Sequence, residues 1–357
     1  EKLDQRYPGI KVGTRAYMSM EAPPTLTRPR TNVYVRIPHL RHCLIHGVEQ
    51  CHKNRGYLRN LKRWGELAPK RIIVWDYTVN FGENFLYPFP VISSIAENIR
   101  AYDRLGVVGL TLQGNYVSFG GDLVVLKNYV WRKMLWDTSL NVTNLVGDFC
   151  AGYYGPAAAP LFSYVMELER AVAPGATTNH FSEFAERPDM RMTYLGRERV
   201  EKLRGFLDEA RKAAGGTEPY LRRVEEAAVS LEAFRLWVVG PLAEKDGKLV
   251  REDLGGEYTM DRARQMISFA RESSAKEWRE FQIYHKGFLT YHGGPVVALK
   301  KGDLTVNVTP VLGMRVRQIS FKGNPLLYIH PYDSKDKLYP NVGGCYEEAH
   351  YPWTLGE

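Results

Sequence analysis

The chain has 357 residues, a length that exceeds one average domain and favours two or three. Hydrophobic residues make up 44% and charged residues 25%, as in an ordinary globular protein with a sizeable core. The formal charge of +8 comes from scattered basic residues, and no apolar run approaches the roughly 18 residues that a membrane helix needs. Neither a nucleic-acid partner nor a membrane-spanning segment is therefore predicted.

The first third of the chain alternates predicted strands with predicted helices. The strands are residues 10–18, 32–40, 71–78 and 106–115. The helices after the later strands are residues 56–67, 93–105 and 123–136. Strands and helices at this spacing indicate βαβ units and a parallel sheet, and strands that are mostly apolar on both faces fit a buried sheet.

These four units predict an α/β fold, the C-terminal half of a TIM-type (β/α)8 barrel, over residues 1–140. The opening residues resemble the last turns of an amphipathic helix that ends at Pro8-Gly9. A helix that starts without a cap suggests a fragment, so we expect the four strands to be strands five to eight of the barrel. No Gly-x-Gly-x-x-Gly sequence occurs, and a nucleotide-binding sheet loses support.

The rest of the chain predicts two further parts. An α-helical module is expected over residues 141–290, with Asn141 as the cap of its first helix and later helices at 157–171, 197–214, 220–239 and 260–280. From residue 296 the hydrophobic period changes to two, with turns at Lys301-Gly302 and Gly323-Asn324. Residues 291–357 are therefore expected to begin an antiparallel β-sandwich that is truncated at the end of the chain.

Polar and aromatic residues cluster where the four predicted strands end. They are Tyr17, His39, Trp75, Asp76, Tyr77, Gln113 and Asn115. In a βα barrel, chemistry takes place at the carboxyl ends of the strands, where the βα loops are free to vary. We therefore expect these side chains to border one cavity. The high content of Trp and Tyr suits a sugar-binding cleft, although both residue types are also common in cores.

Asp76 is the candidate catalytic residue. An acid in an aromatic, partly desolvated pocket can have its pKa raised, which suits proton donation. An acid with hydrogen-bond donors around it stays ionised and can orient a polar group of a substrate. The structural alternative is an aspartate that binds loop amides.

A loop rich in His and Cys follows the second predicted strand. Its spacings match no standard zinc signature, so neither a metal nor any other cofactor is predicted. His39, Arg41 and His46 are expected to line the barrel mouth as donors to a substrate, with a purely structural role as the alternative. Cys43 and Cys51 lie close in sequence and form either a disulfide or two thiols.

Two other groups could bind a polar ligand. Gln113 and Asn115 can both donate and accept hydrogen bonds, which suits hydroxyl or acetamido groups, or they close a loop. Glu347 and Glu348 are adjacent, so at most one of them faces a cleft, and surface solvation is the simpler interpretation. Glu347 is retained as a candidate substrate-binding residue.

Several long motifs together resemble bacterial proteins of the domain of unknown function 4838 family. They are "VWDYTVNF", "YPFPVI", "ENIRAYDRLGVVGLTLQG", "LKNYVWRKMLWDTSLNVTNLVGDFCAGYYGPAA" and the late "GGCYEE". The resemblance covers about residues 1–170 strongly and the tail from about residue 296 loosely. That family is related to glycoside hydrolase family 163, which has endo-β-N-acetylglucosaminidase activity on N-glycans.

The resemblance implies a barrel with helical and β-sandwich additions, in secreted, periplasmic or cell-surface bacterial proteins that degrade glycans. It also implies an acid/base carboxylate at the end of the fourth barrel strand, upstream of Glu1, so this chain alone is expected to be inactive. In a substrate-assisted hydrolysis of N-acetylhexosamine-containing glycans, Asp76 would orient the acetamido group and Trp75 and Tyr77 would line the sugar.

Two alternatives remain open at this point. An α-glucuronidase-like hydrolase would need cations for the uronate carboxylate, and Arg36 and Arg41 are available. A non-catalytic carbohydrate-binding protein would use the same aromatic cleft without turnover.

Overall fold

A computed structural model describes residues 2–80, 85–114, 121–175, 194–237, 242–245, 248–251, 277–279, 282–283, 297–309 and 315–325. The chain divides into two compact units, residues 1–231 with 273–283 and residues 232–272 with 284–357. The helices up to residue 231 thus share a unit with the strands of the first third. The predicted division into three parts stays a prediction.

The first unit contains the predicted parallel sheet. Its strands are β1 (Val12–Arg15), β2 (Val33–Pro38), β3 (Ile72–Tyr77) and β4 (Gly109–Gln113). They lie in the order β1-β2-β3-β4, and each neighbouring pair is parallel. The prediction of four parallel strands from this part of the chain is confirmed.

Helices connect and cover these strands. They are α1 (Lys2–Arg6), α2 (Arg55–Leu67), α3 (Ile92–Arg104) and α4 (Val124–Trp136). In α2 the buried residues Tyr57, Leu61 and Trp64 recur three or four positions apart, which gives the helix one apolar face. The predicted helices therefore agree with the structure to within a residue or two.

One face of the sheet forms the core with α2 and α3. Val35, Ile37, Ile72 and Val74 point to this face, where they pack against residues of both helices, including Tyr102. Successive side chains of a strand point to opposite faces, so their sequence neighbours lie on the other side of the sheet.

The opposite face of the sheet is more polar than predicted. Gly13 and Arg15 of β1 are exposed, and Arg36 and Trp75 in the next two strands are only half-buried. The expectation that the four strands are mostly apolar on both faces, as in a buried sheet, is therefore wrong for this face.

The first unit continues with further helices. They are α5 (Val142–Tyr154), α6 (Ala158–Ala171), α7 (Arg197–Ala214) and α8 (Tyr220–Trp237), the last of which ends beyond residue 231. The Asn141 side chain accepts a hydrogen bond from the Asn144 amide at 3.0 Å, so it caps α5 as predicted. None of the helices that the structure describes is long and apolar enough to cross a membrane.

A buried ion pair connects α4 to the loop after β3. The Lys127 ammonium donates to an Asp122 carboxylate oxygen at 2.7 Å and to the Phe89 carbonyl at 2.9 Å. The same Asp122 oxygen accepts from the Phe89 amide at 2.8 Å. Both charged side chains are almost completely buried, so each neutralises the other where water cannot.

A second buried carboxylate stabilises the start of α3. The Glu169 side chain on α6 accepts from the amides of Ile92 and Ser93 at 3.1 and 2.9 Å. These amides have no partner inside the helix, because the first turn of a helix leaves its N–H groups unpaired. Burial raises the pKa of Glu169, although these hydrogen bonds oppose that shift.

The remaining strands are short and antiparallel. They are β5 (Leu242–Lys245), β6 (Lys248–Arg251), β7 (Glu277–Arg279), β8 (Gln282–Ile283), β9 (Val297–Lys301), β10 (Leu304–Thr309), β11 (Arg315–Phe321) and β12 (Asn324–Pro325). The last four form one sheet in the order β12-β11-β10-β9. Its tight turns contain Gly302 and Gly323, both with left-handed backbone angles that glycine adopts at little cost.

The antiparallel sheet after residue 296 is therefore confirmed, and its completion as a sandwich stays a prediction. The predicted helix over residues 260–280 is wrong at its end, because β7 occupies residues 277–279 and pairs with β8. Residues 260–276 lie outside the described part of the chain.

Candidate functional site

Asp76 lies on the face of the sheet that the helices cover. Its side chain is 0% exposed. Ile72, Val74 and Asp76 are two residues apart along β3, so the strand places all three on the same side. The predicted position of Asp76 at an open barrel mouth is therefore wrong.

The Asp76 carboxylate is fully engaged with protein donors. One oxygen lies 3.1 Å from Nδ1 of His39 and accepts from the Tyr77 amide at 2.9 Å. The other oxygen accepts from Asn98 at 3.2 Å and from the Tyr102 hydroxyl at 2.9 Å, both on α3. These contacts connect the sheet to α3. They fit the interpretation that Asp76 has a structural role rather than a catalytic one.

His39 belongs to the same buried cluster. Its ring packs against the Tyr57 ring at a centroid distance of 4.4 Å and is also fully buried. Burial, followed by the negative charge of Asp76, raises the pKa of Tyr57 and Tyr102 well above the usual value of a tyrosine. Both phenols therefore stay neutral, and Tyr102 remains a hydrogen-bond donor to the carboxylate.

The opposite face of the sheet presents a different group of side chains, one from each strand. They are Arg15, Arg36, Trp75 and Gln113, which we call the Arg-Trp face. The guanidinium groups of Arg15 and Arg36 lie 5.8 and 5.3 Å from the centre of the Trp75 ring. The Trp75 indole N–H donates to Oε1 of Gln113 at 2.7 Å.

The strand register explains this convergence. Arg15 pairs with Arg36 across β1 and β2, and Pro38 pairs with Trp75 across β2 and β3. Both arginines are within cation–π distance of Trp75, the aromatic type that binds cations best. Arg36 is half-buried and Arg15 is exposed, so positive charge is held at an accessible surface.

The Arg-Trp face lies within a part of the chain that matches a family model. Residues 1–167 match the family model described as Domain of unknown function (DUF4838). The match supports the resemblance noted for the first part of the chain, and we call residues 1–167 the DUF4838 segment. The buried Asp76 cluster and the Arg-Trp face both belong to the DUF4838 segment. No curated protein matches the chain.

The predicted site residues thus fall into separate places. Trp75 and Gln113 meet on the Arg-Trp face, whereas His39 and Asp76 meet beneath the helices. The prediction that all these side chains border one common cavity is therefore wrong. Tyr17 is 41% exposed after β1. Asn115 and Glu347 lie outside the described residues.

Two more predicted residues lie near the end of β2 or β3. Tyr77 shares its face with Gln113, its partner in β4, and is almost completely buried. Arg41 is exposed in the loop after β2, at a left-handed backbone angle of 62°. Substrate binding by Tyr17, Tyr77 and Arg41 stays a prediction.

The sequence search missed Arg15, and it named Arg36 only as a cation for a uronate. The alternation of side chains along a strand could have identified these arginines. It puts Trp75 and Asp76 on opposite faces of the sheet, and it puts every second residue of each neighbouring strand on the same face as Trp75. The partner strand of Trp75 contributes Arg36, and the strand beyond contributes Arg15.

The loop after β2 holds a group of side chains that could bind a metal ion. Cys43, His46 and Cys51 are all buried, and their ligand atoms lie within 4.8 Å of one another. The Cys43 sulfur is 3.3 Å from Nδ1 of His46. His46 therefore contacts a thiol in the interior, and the predicted place of this ring at the barrel mouth is wrong.

Proposed function

We propose that the DUF4838 segment is the sugar-binding half of a glycoside hydrolase barrel, and that the Arg-Trp face binds the glycan. The sequential order of four parallel strands supports this, because a TIM-type barrel has the same order. The reaction class is part of this proposal and rests on the resemblance to glycoside hydrolase family 163 noted from the sequence. The single observation that carries the proposal is the Arg-Trp face itself.

The chemistry of this face suits a sugar. The Trp75 ring is a flat apolar surface, and such surfaces complement the C–H faces of pyranose rings. Because Oε1 of Gln113 accepts from Trp75, its amino group is the part that can donate to a hydroxyl or acetamido oxygen. An N-acetylhexosamine fits both groups.

Gln113 replaces Asp76 in the proposed mechanism. In substrate-assisted hydrolysis, the acetamido oxygen attacks the anomeric carbon and a polar protein group orients it. Asp76 is 0% exposed, whereas Gln113 is half-buried on the accessible side. Hydrolysis also needs a proton donor for the leaving oxygen, which these four side chains do not supply. We propose that a carboxylate outside the Arg-Trp face provides it.

The two arginines favour a second candidate substrate. A guanidinium group binds a carboxylate through two parallel hydrogen bonds, and two such groups flank Trp75. A glycan that contains a uronic acid would use them directly. The uronate-specific hydrolase therefore stays a candidate, now with Arg15 and Arg36 as its cations rather than Arg41.

Binding assays on this chain separate the candidates. Calorimetric titration with N-acetylhexosamine and uronic-acid oligosaccharides is expected to show binding that Trp75→Ala weakens at least about tenfold, as loss of a central aromatic anchor does. Arg36→Met is expected to weaken only the uronate ligands. Arg63→Met is the matched control, because Arg63 is an exposed arginine on α2 that pairs with Glu66.

The outcomes differ for each candidate. Binding of neutral N-acetylhexosamine glycans that Arg36→Met leaves unchanged favours the first substrate class, and loss of uronate binding favours the second. Equal affinity of wild type and Trp75→Ala for every ligand would remove the Arg-Trp face as a glycan site. Glycan binding by the intact protein without any hydrolysis would favour a non-catalytic binding protein.

A further inference from the structure

The Cys43–Cys51 loop is held in place by buried polar groups. Asn54 is fully buried, and its side chain accepts from the Cys43 amide at 2.8 Å and donates to the Cys43 carbonyl at 2.9 Å. It also lies 3.4 Å from the His46 carbonyl. The Val48 amide donates to Asn98 on α3 at 2.6 Å. The backbone that carries all three side chains is therefore fixed on both sides.

The three side chains converge within this loop. The sulfur atoms of Cys43 and Cys51 and a ring nitrogen of His46 all lie within 4.8 Å of one another. Cys43 and Cys51 are thiols in the structure, without a disulfide between them. Two thiols and an imidazole are the donor types that borderline and soft metal ions prefer.

The separations suit a tetrahedral ion. Zinc–sulfur bonds of about 2.3 Å and zinc–nitrogen bonds of about 2.0–2.1 Å place neighbouring ligand atoms roughly 3.5–3.8 Å apart. The Cys43 sulfur and Nδ1 of His46 are already 3.3 Å apart. Because no pair of ligand atoms is more than 4.8 Å apart, the site needs a contraction of at most about 1 Å to reach that geometry.

The surroundings of His46 match those of a metal ligand. Its ring also has a hydrogen bond with the backbone of Val172, and metal-binding histidines commonly use their second ring nitrogen in this way. Two thiolates would cancel the charge of one divalent ion, so the filled site would be neutral in the interior.

We propose that Cys43, His46 and Cys51 bind one Zn²⁺ ion, with a small ligand such as water in the fourth position. The site lies in the loop after β2 and is independent of the Arg-Trp face. The spacing Cys-x2-His-x4-Cys differs from the usual zinc motifs, which contain Cys-x2-Cys pairs. Here a turn separates the third ligand, Cys51, from the other two. Only the folded loop places Cys51 beside the other two.

The test measures zinc on the intact chain. Protein prepared with reductant is stripped with a chelator, titrated with Zn²⁺ alone against a chromogenic competitor, and assayed for metal by mass spectrometry. We expect one zinc per chain, its loss in Cys43→Ser and Cys51→Ser, and at least about tenfold weaker binding in His46→Ala. Cys150→Ser is the matched control, because Cys150 is another buried thiol, on α5, and should keep full binding.

Two measurements on wild type keep the test decisive if the variants do not fold. Co²⁺ should give the thiolate-to-metal absorption band that only sulfur ligands produce, and Zn²⁺ should protect two of the thiols from alkylation. The proposal is overturned if stripped wild-type protein takes up no stoichiometric zinc. It is equally overturned if Co²⁺ shows no thiolate band, or if Cys43 and Cys51 are found joined as a disulfide in protein purified without reductant.

Discussion

Replacing Asp76 by asparagine tests the interpretation that this carboxylate is structural. The substitution keeps the size of the side chain but exchanges one acceptor oxygen for an amino group. The Oδ1 position can still accept from the Tyr77 amide. The Oδ2 position now faces the donors Asn98 and Tyr102 with a donor of its own.

The size of the effect follows from those contacts. Each buried donor left without an acceptor costs about 1–3 kcal/mol, so two such donors give roughly 2–6 kcal/mol. The Tyr102 hydroxyl can rotate and accept from the new amino group, so only the Asn98 donor stays unpaired and the expected loss of unfolding free energy is about 1–3 kcal/mol. Few proteins of this kind have more than about 5–15 kcal/mol in total, so such a loss is large.

Urea unfolding followed by circular dichroism and tryptophan fluorescence measures this loss. Asp208→Asn is the control, because Asp208 is an exposed carboxylate that pairs with Arg211 on the surface of α7. Its unfolding free energy should stay within about 0.5 kcal/mol of wild type. An Asp76→Asn protein as stable as wild type, but without glycan binding, would refute the reasoning and return Asp76 to the ligand site.

Three further predictions rest on buried groups. Lys127→Met should lower the free energy of unfolding by about 3–5 kcal/mol, because it leaves the Asp122 carboxylate buried without its cation; the double variant with Asp122→Leu should recover part of that loss in urea unfolding. Burial raises the pKa of the Cys150 thiol to about 12, so mass spectrometry should detect little alkylation of Cys150 in native protein at pH 8 and rapid alkylation in urea. Burial also raises the pKa of Glu169 above its ordinary value of 4.5, so the folded state holds this proton to higher pH than the unfolded state. Wild type should therefore lose unfolding free energy relative to Glu169→Gln as the pH rises above 4.5, and a constant difference between the two proteins would contradict this.

Much of the first unit was predictable because its elements carry local signals. In α2, Tyr57, Leu61 and Trp64 repeat with the period of a helix, and this pattern does not depend on what the helix packs against. Asn141 caps α5 by accepting a hydrogen bond from an amide only three residues further along the chain. Such signals lie within one turn of the chain, so the sequence contains them directly.

The buried charges and the metal-ligating group were not predictable in the same way. Glu169 reaches amides at Ile92 and Ser93, and Cys51 meets Cys43 and His46 only because Asn54 and α3 hold the loop. Glu169 lies 77 and 76 residues from these two amides along the chain, and at such separations residue type carries no information about contact. Cys43 and Cys51 are close in sequence, but their spacing alone is compatible with a disulfide or with two thiols. Only the folded chain brings them together.

The sequence by itself determined that Trp75 and Asp76 point to opposite sides of β3, since the side chains of a strand alternate. Ile72, Ile73 and Val74 are apolar on both sides, so nothing in β3 indicates which side is covered. The tertiary structure decided it: α2 and α3 pack on the side of Val74, which buries Asp76 and leaves Trp75 beside two arginines. The physical reason is that the packing of a helix on one face of a sheet depends on many side chains that are far apart in sequence. The sequence of one strand does not contain that information.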